Sequence, residues 1–202
     1  MPTLADMTEQ PQPQKARTLD ARSLRGIAHP LRMRLLGSLR IDGPATASQL
    51  ASRFSESSGS TSYHLRQLAA HGFVEDDPQP GKGRERWWRA THQYTEFSDT
   101  LTRDADPAVR GAAALYMHEV AALHAEALST WVGTSHEWPE EWQASADISD
   151  TALRLTPALA SELDEKVRQL IESYRESAPT EDDPQAELVR IHTHVFPTRR
   201  PD

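Results

Sequence analysis

Ser58, Ser60, Thr61, Ser62, Tyr63, His64, Arg66 and Gln67 fall within ten consecutive positions. The chemistry open to that set is hydrogen bonding rather than bond making. Short hydroxyl side chains let a phosphate backbone come close. Tyr63, His64, Arg66 and Gln67 are long enough to reach phosphates or base edges. The pattern around them reads as a helix over 58–70. Ser58, Ser60 and Thr61 crowd its first turn, where unpaired backbone N–H groups and the positive end of the helix dipole favour a phosphate. On a 3.6-residue repeat Thr61, Leu65 and Leu68 share a face that must be buried, while Gly59, Ser62, Tyr63 and Arg66 share another. A capped helix with a solvated polar face has the same composition, so the helix alone leaves both readings open.

A basic hairpin follows and shifts the balance. Pro80-Gly81-Lys82-Gly83 has the composition of a tight turn. Lys82, Arg84 and Arg86 alternate along the returning strand and so project to one side of it. A cationic hairpin tip beside a hydroxyl-rich helix suits a wing that holds a phosphate strand. Trp87 and Trp88 fall on opposite faces, so one of them packs beneath the wing.

These residues need a scaffold, and the flanking pattern supplies one. A helix from about Thr18 to Ala28 buries Leu24 and Ile27. Pro30 opens a second helix that runs to Ile41 through Leu31, Leu35, Leu36 and Leu39. After the turn Asp42-Gly43-Pro44, a third short helix carries Leu50, Ala51 and Phe54. The helix over 58–70 and two short strands complete the order of a winged helix-turn-helix module.

The runs Ile27-Ala28-His29-Pro30-Leu31-Arg32-Met33-Arg34-Leu35-Leu36, Ser62-Tyr63-His64-Leu65-Arg66-Gln67-Leu68 and His71-Gly72-Phe73-Val74 resemble the ArsR-type winged helix-turn-helix transcriptional regulators. The resemblance spans roughly Leu19 to Thr95. It implies a dimeric, repressor-like fold with the second helix of the motif in the major groove, and it leaves the chain beyond Thr95 uncovered.

A net charge of -8 over 202 residues looks wrong for a DNA binder until it is divided. Residues 19–97 hold eleven Lys and Arg against eight Asp and Glu, leaving +3; residues 98–202 hold nine against twenty, leaving -11. The basic surplus sits on the reading module, and the acidic body must serve another purpose. The hydrophobic fraction of 37% and mean hydropathy of -0.66 allow only a modest core, which dimerisation would enlarge. No apolar run is long enough to span a membrane. Residues 1–17 read as a disordered arm rather than a signal peptide. Cysteine is absent, so disulfides, thiolate metal sites and a cysteine nucleophile are excluded. Together these features point to the cytoplasm.

In residues 98–202 the pattern predicts one long helix over 107–132, with Val109, Ala112, Ala113, Tyr116, Val120, Leu123, Ala127 and Trp131 recurring at threes and fours. We read it as the dimerisation helix, because two half-sites need two reading heads; an ordinary core helix has the same pattern. A short helix follows near 140. Residues 148–156 and 186–196 look extended and flank a second strong helix over 157–176, giving a strand-helix-strand unit. The expected fold is mainly α with small β elements. Its domains are the arm (1–17), the winged module (18–97) and a dimerisation and effector domain (98–202).

Other chemistries find less support. The long helix lacks the Asp-x-His and His-x-x-Glu/His pairs that a metal site there would need. His192 and His194 project together from an extended segment, but two ligands are too few. Trp131, Trp138 and Trp142 are candidates to line an apolar effector pocket, although core packing explains them as well. No nucleophile motif, phosphate loop or metalloprotease motif is present, so no catalysis and no cofactor are expected. The partners expected are double-stranded DNA, a second copy and a small-molecule effector. Two alternatives remain: a helix-turn-helix module used for protein contact, and a metal-responsive sensor built on His192 and His194.

Overall fold

The computed structural model describes residues 14–77, 85–179 and 183–198. The chain divides into two compact units, residues 1–129 and 130–202. The first described element of the first unit is strand β1 (Gln14–Thr18), which takes up the end of the expected disordered arm; the rest of that arm, residues 1–13, lies outside the described residues. Helix α1 (Ala21–Ile27) follows, then α2 (Pro30–Ile41), strand β2 (Ala45–Thr46), α3 (Ala47–Arg53) and α4 (Ser58–Ala70). Strands β3 (Val74–Asp76), β4 (Trp87–Ala90) and β5 (His92–Glu96) come next, and the long helix α5 (Pro107–Thr134) starts in this unit.

Each helix of the reading module starts where a side chain can replace a missing backbone acceptor. The Asp20 carboxylate accepts the Ser23 N–H at 2.7 Å while Ser23 Oγ accepts the Asp20 N–H at 2.9 Å, a reciprocal cap for α1. His29 Nδ1 accepts the Leu31 N–H at the start of α2, and Pro30 takes the first position. Thr46 and Gln49 cap α3 reciprocally. Ser57 caps α4. Gly72, at φ +71°, turns the chain out of α4 into β3.

Two small sheets result. β4 lies between β2 and β3 and runs antiparallel to both, with Ala45 opposite Trp88 and Val74 opposite Ala90. β1 pairs in parallel with β5, Ala16 opposite Tyr94. The free edge of β5 gives the end of the arm a partner that its composition did not reveal. Arg40 pins α2 to the same strand: its buried guanidinium donates to the His92 carbonyl (2.9 Å) and Thr95 Oγ1 (2.8 Å). Burial lowers its pKa to about 10, so it remains charged at neutral pH.

Leu24, Leu35, Leu36, Leu50, Leu65, Leu68 and Phe73 form the centre of the core, and Trp88 closes it beneath the sheet. Each such side chain contributes about 1.5–3 kcal/mol by leaving water. The α5 residues Val109, Ala113 and Tyr116 are buried in the same core, and Val120 and Leu123 pack against it. That stripe was expected to form a dimer contact; in the first turns of α5 it faces the protomer's own core instead.

Gly26 is the tightest joint. A methyl group there would lie 2.3 Å from Cγ of His71, just beyond the end of α4. Gly26→Ala should destabilise the protein by about 1–3 kcal/mol through overpacking. Urea denaturation should show a lower midpoint at unchanged slope.

In the second unit, α6 (Glu140–Ser145) and α7 (Pro157–Glu176) follow the end of α5. The expected strand-helix-strand arrangement is not what forms. Helix α7 is present, but no strand is assigned among the described residues of 148–156 or 186–196. Alternating apolar residues mark the face a strand would bury, yet a ladder also needs an edge to pair with. Neither segment enters a ladder among the described residues, and side chains such as Leu188 (70%) and Phe196 (71%) stay exposed.

Candidate nucleic-acid interface

Helix α4 is gripped on one side and open on the other. Leu65, Leu68 and Thr61 are fully buried, so Thr61 belongs to the packed face and cannot reach DNA. The 3.6-residue period that groups Thr61 with the two leucines carries this result. Ser58 and Gly59 are exposed at the first turn, Ser60 and Ser62 are half-buried, and Gln67 is half-buried further along. The Ser60 N–H already donates to the Ser57 cap at 3.1 Å, and the Thr61 N–H to the Ser57 carbonyl. Among the described residues, the donors left at this helix start are therefore those of Ser58 and Gly59.

Tyr63 is 51% exposed. Arg66 is also exposed, and among the described residues it has no ionic or hydrogen-bonded partner. One helical turn brings Ser62 and Arg66 to the same side, where they line a cleft of about 250 Å3. Its other walls are Thr46, Ala47 and Ser48 at the start of α3, and Glu85, Arg86 and Trp88 at the wing. Ser48 was not singled out from the sequence. The signal for it was the Thr46-x-x-Gln49 capping box, which fixes where α3 begins.

Within this cleft Arg86 is already engaged. Its guanidinium pairs with Asp76 at 3.0 Å and lies over the Trp88 ring at 4.2 Å, which holds it beside the cleft. Glu85 accepts from Ser48 Oγ at 3.3 Å. Lys82 and Arg84 lie outside the described residues.

His64 leaves the outward face. Its ring packs on His29 at 4.4 Å and meets the Tyr63 edge at 5.2 Å. Its Nδ1 is buried without a hydrogen-bond partner among the described residues, as is Arg32 Nε. His64 thus braces α4 against the start of α2. Burial, and then the charges of His29 and Arg32, hold its pKa below the ordinary 6.5. Burial and Arg32 do the same to His29, against a smaller opposing pull from Glu119 and Glu56. Burial is also the leading cause for His71 and His92, reinforced by nearby arginines.

Just below pH 6.5 the unfolded chain therefore binds more protons than the folded one, and stability rises with pH. Stability from the neutral histidines is present above 6.5 and is lost as pH falls through the lowered folded values. Protonating His29 also removes the Nδ1 acceptor that caps α2. The melting temperature should be lower at about pH 5.5 than at about pH 7.5, and His64→Gln should shallow that dependence. Asp20, whose pKa is lowered mainly by its Ser23 hydrogen bond, adds its own loss only below the ordinary carboxylate range.

The other candidates lie in the second unit. The Trp131 and Trp138 rings are 6.1 Å apart and tilted, and Trp142 is half-buried. His192 is half-buried and His194 exposed, neither in a strand. No cluster of three or more metal-ligating side chains occurs among the described residues.

Comparison with known proteins agrees with this geometry. Residues 27–77 match the model of a helix-turn-helix domain. No curated protein matches the chain. A solved structure of a Lactococcus lactis ZitR mutant in its apo form is 15% identical, covering 73% of this chain and 83% of that one, at a TM-score of 0.33. No described helix is long and apolar enough to cross a membrane. Residues 27–77 thus form a helix-turn-helix domain, and the antiparallel β3–β4 pair follows it.

Proposed function

We propose that the protein is a cytoplasmic, ArsR-like transcriptional repressor that binds a palindromic DNA operator as a homodimer and performs no catalysis. The observation that carries this reading is the pairing of an open Tyr63–Arg66 face with a cleft bounded by the wing. The exposed start of α4, at Ser58 and Gly59, meets a phosphate. Ser60, Ser62 and Gln67 are contacts along the groove, and Arg66 and Tyr63 read base edges. Arg86, with Lys82 and Arg84, holds the phosphate strand on the wing side.

Dimerisation follows from the two sides of α5. Leu115, Ala121, Ala122, Ala125 and Leu128 are exposed and share a face opposite the stripe spent on the core. Their mostly small side chains favour close approach of a second α5. Two heads so joined suit half-sites about one helical turn apart. An apolar effector is assigned to the neighbourhood of Trp131, Trp138 and Trp142.

The test is duplex binding at increasing salt, using DNA from the protein's own upstream region. Affinity should fall steeply, by about 0.9 in the log–log slope per phosphate contacted. Salt-independent binding, or none, would favour the competing reading of a module used for protein contact.

A further inference from the structure

Residues 130–198 contain no buried residue among those described. Twelve large apolar side chains between positions 148 and 196 are each 36% to 73% exposed. Three of them lie on one face of α7: Leu163, Leu170 and Tyr174, at 36%, 59% and 73% exposed. Such a surface marks a contact rather than a solvated face.

The best-defined part of it is α7. Ala160, Leu163, Val167, Leu170 and Tyr174 recur at alternating threes and fours, which is the heptad seam of a two-helix coiled coil. The opposite side of the helix satisfies its charges internally: Lys166 pairs with Glu162 at 2.6 Å, Arg168 with Asp164, and Arg175 with Glu172 at 3.1 Å. Only the apolar seam is left over. A heptad seam fits another helix of the same period. In the described part of 130–198 the other helical pieces are the last turn of α5, the 3-10 turn Ser135–Glu137 and the six residues of α6, each too short to cover it.

We infer that α7 packs against α7 of a second copy, in antiparallel orientation. Residues 157–165 carry Glu162, Asp164 and Glu165 with no base, whereas residues 166–176 carry three bases and two acids. The halves have net charges of -3 and +1. An antiparallel pair sets unlike halves side by side and opposes the helix dipoles; a parallel pair does neither. The seam is centred on Val167, so Val167 meets its own mate, Leu163 meets Leu170, and Ala160 meets Tyr174. This contact is separate from the α5 contact proposed above and does not depend on DNA binding.

The cysteine-free chain makes a direct test possible. Val167→Cys and Tyr174→Cys are introduced separately into the full-length protein, which is oxidised mildly and run on a non-reducing gel. Most of the Val167→Cys chain should become a cross-linked dimer while Tyr174→Cys stays monomeric, and mixing Leu163→Cys with Leu170→Cys should give a mixed disulfide. Far-UV circular dichroism matching the parent shows that the variants are folded. A folded Val167→Cys protein that stays monomeric on the gel would mean that something other than a second α7 covers the seam, and the inference fails. Tyr174→Cys cross-linking to itself as readily as Val167→Cys would overturn the antiparallel arrangement. Because the readout is a disulfide, failure of the DNA-binding proposal would leave these results unaffected.

Discussion

Replacing Arg66 with alanine should weaken operator binding by about 1–3 kcal/mol, roughly 5- to 150-fold, and relax the preference at one position of each half-site. Arg66 is exposed, lacks a partner among the described residues, and lines the cleft together with Ser62 and the wing. Its planar guanidinium offers paired donors that match one base edge, and alanine offers none. Fold stability should change by no more than about 0.5 kcal/mol, since the side chain is exposed and fills no part of the core. Fluorescence anisotropy against the operator and a set of single-base variants measures both the affinity and the preference. Lys82→Ala provides the contrast. Removing one phosphate anchor from the wing should weaken binding to all duplexes alike and reduce the salt slope by about one. An Arg66→Ala protein that binds every duplex more weakly but in the same rank order would assign Arg66 to the backbone instead.

The neighbouring residue should behave in the opposite way. Leu65 is fully buried between α4 and the preceding helices, so Leu65→Ala should cost about 2–5 kcal/mol of folding stability, combining the transfer term with a cavity. Urea titration followed by circular dichroism should show a large drop in midpoint. Any protein still folded should retain the sequence preference of the parent, because no group that faces DNA has been removed. Two adjacent residues would then divide cleanly, one affecting recognition and the other stability. A small effect at Leu65 would mean that α4 is held mainly by its ends, at the Ser57 cap and the His71–Gly26 joint.

Much of the architecture is legible in the order of residues. The starts of α2 and α7 follow from Pro30 and Pro157 at their first positions, and their extent from leucine spacing over several turns. The pairing of β3 with β4 follows from extended runs on either side of a turn composition, and the turn itself lies outside the described residues. Local signals of this kind involve neighbours in sequence, so one chain is enough to read them.

Other features depend on residues far apart. His64 has the same polar character as Ser62 and Arg66, but its ring rests on His29 instead of facing outward. Arg86 looks like a free cation until Asp76 and Trp88 come beside it. The segments at 148–156 and 186–196 alternate as strands do, yet neither enters a ladder among the described residues. The sequence by itself determined which stretches would be helical and which face of each is apolar, because those are short-range properties of side-chain type and backbone period. Tertiary structure alone decided which polar groups reach solvent and which apolar faces are left over, because burial is settled only when distant elements meet.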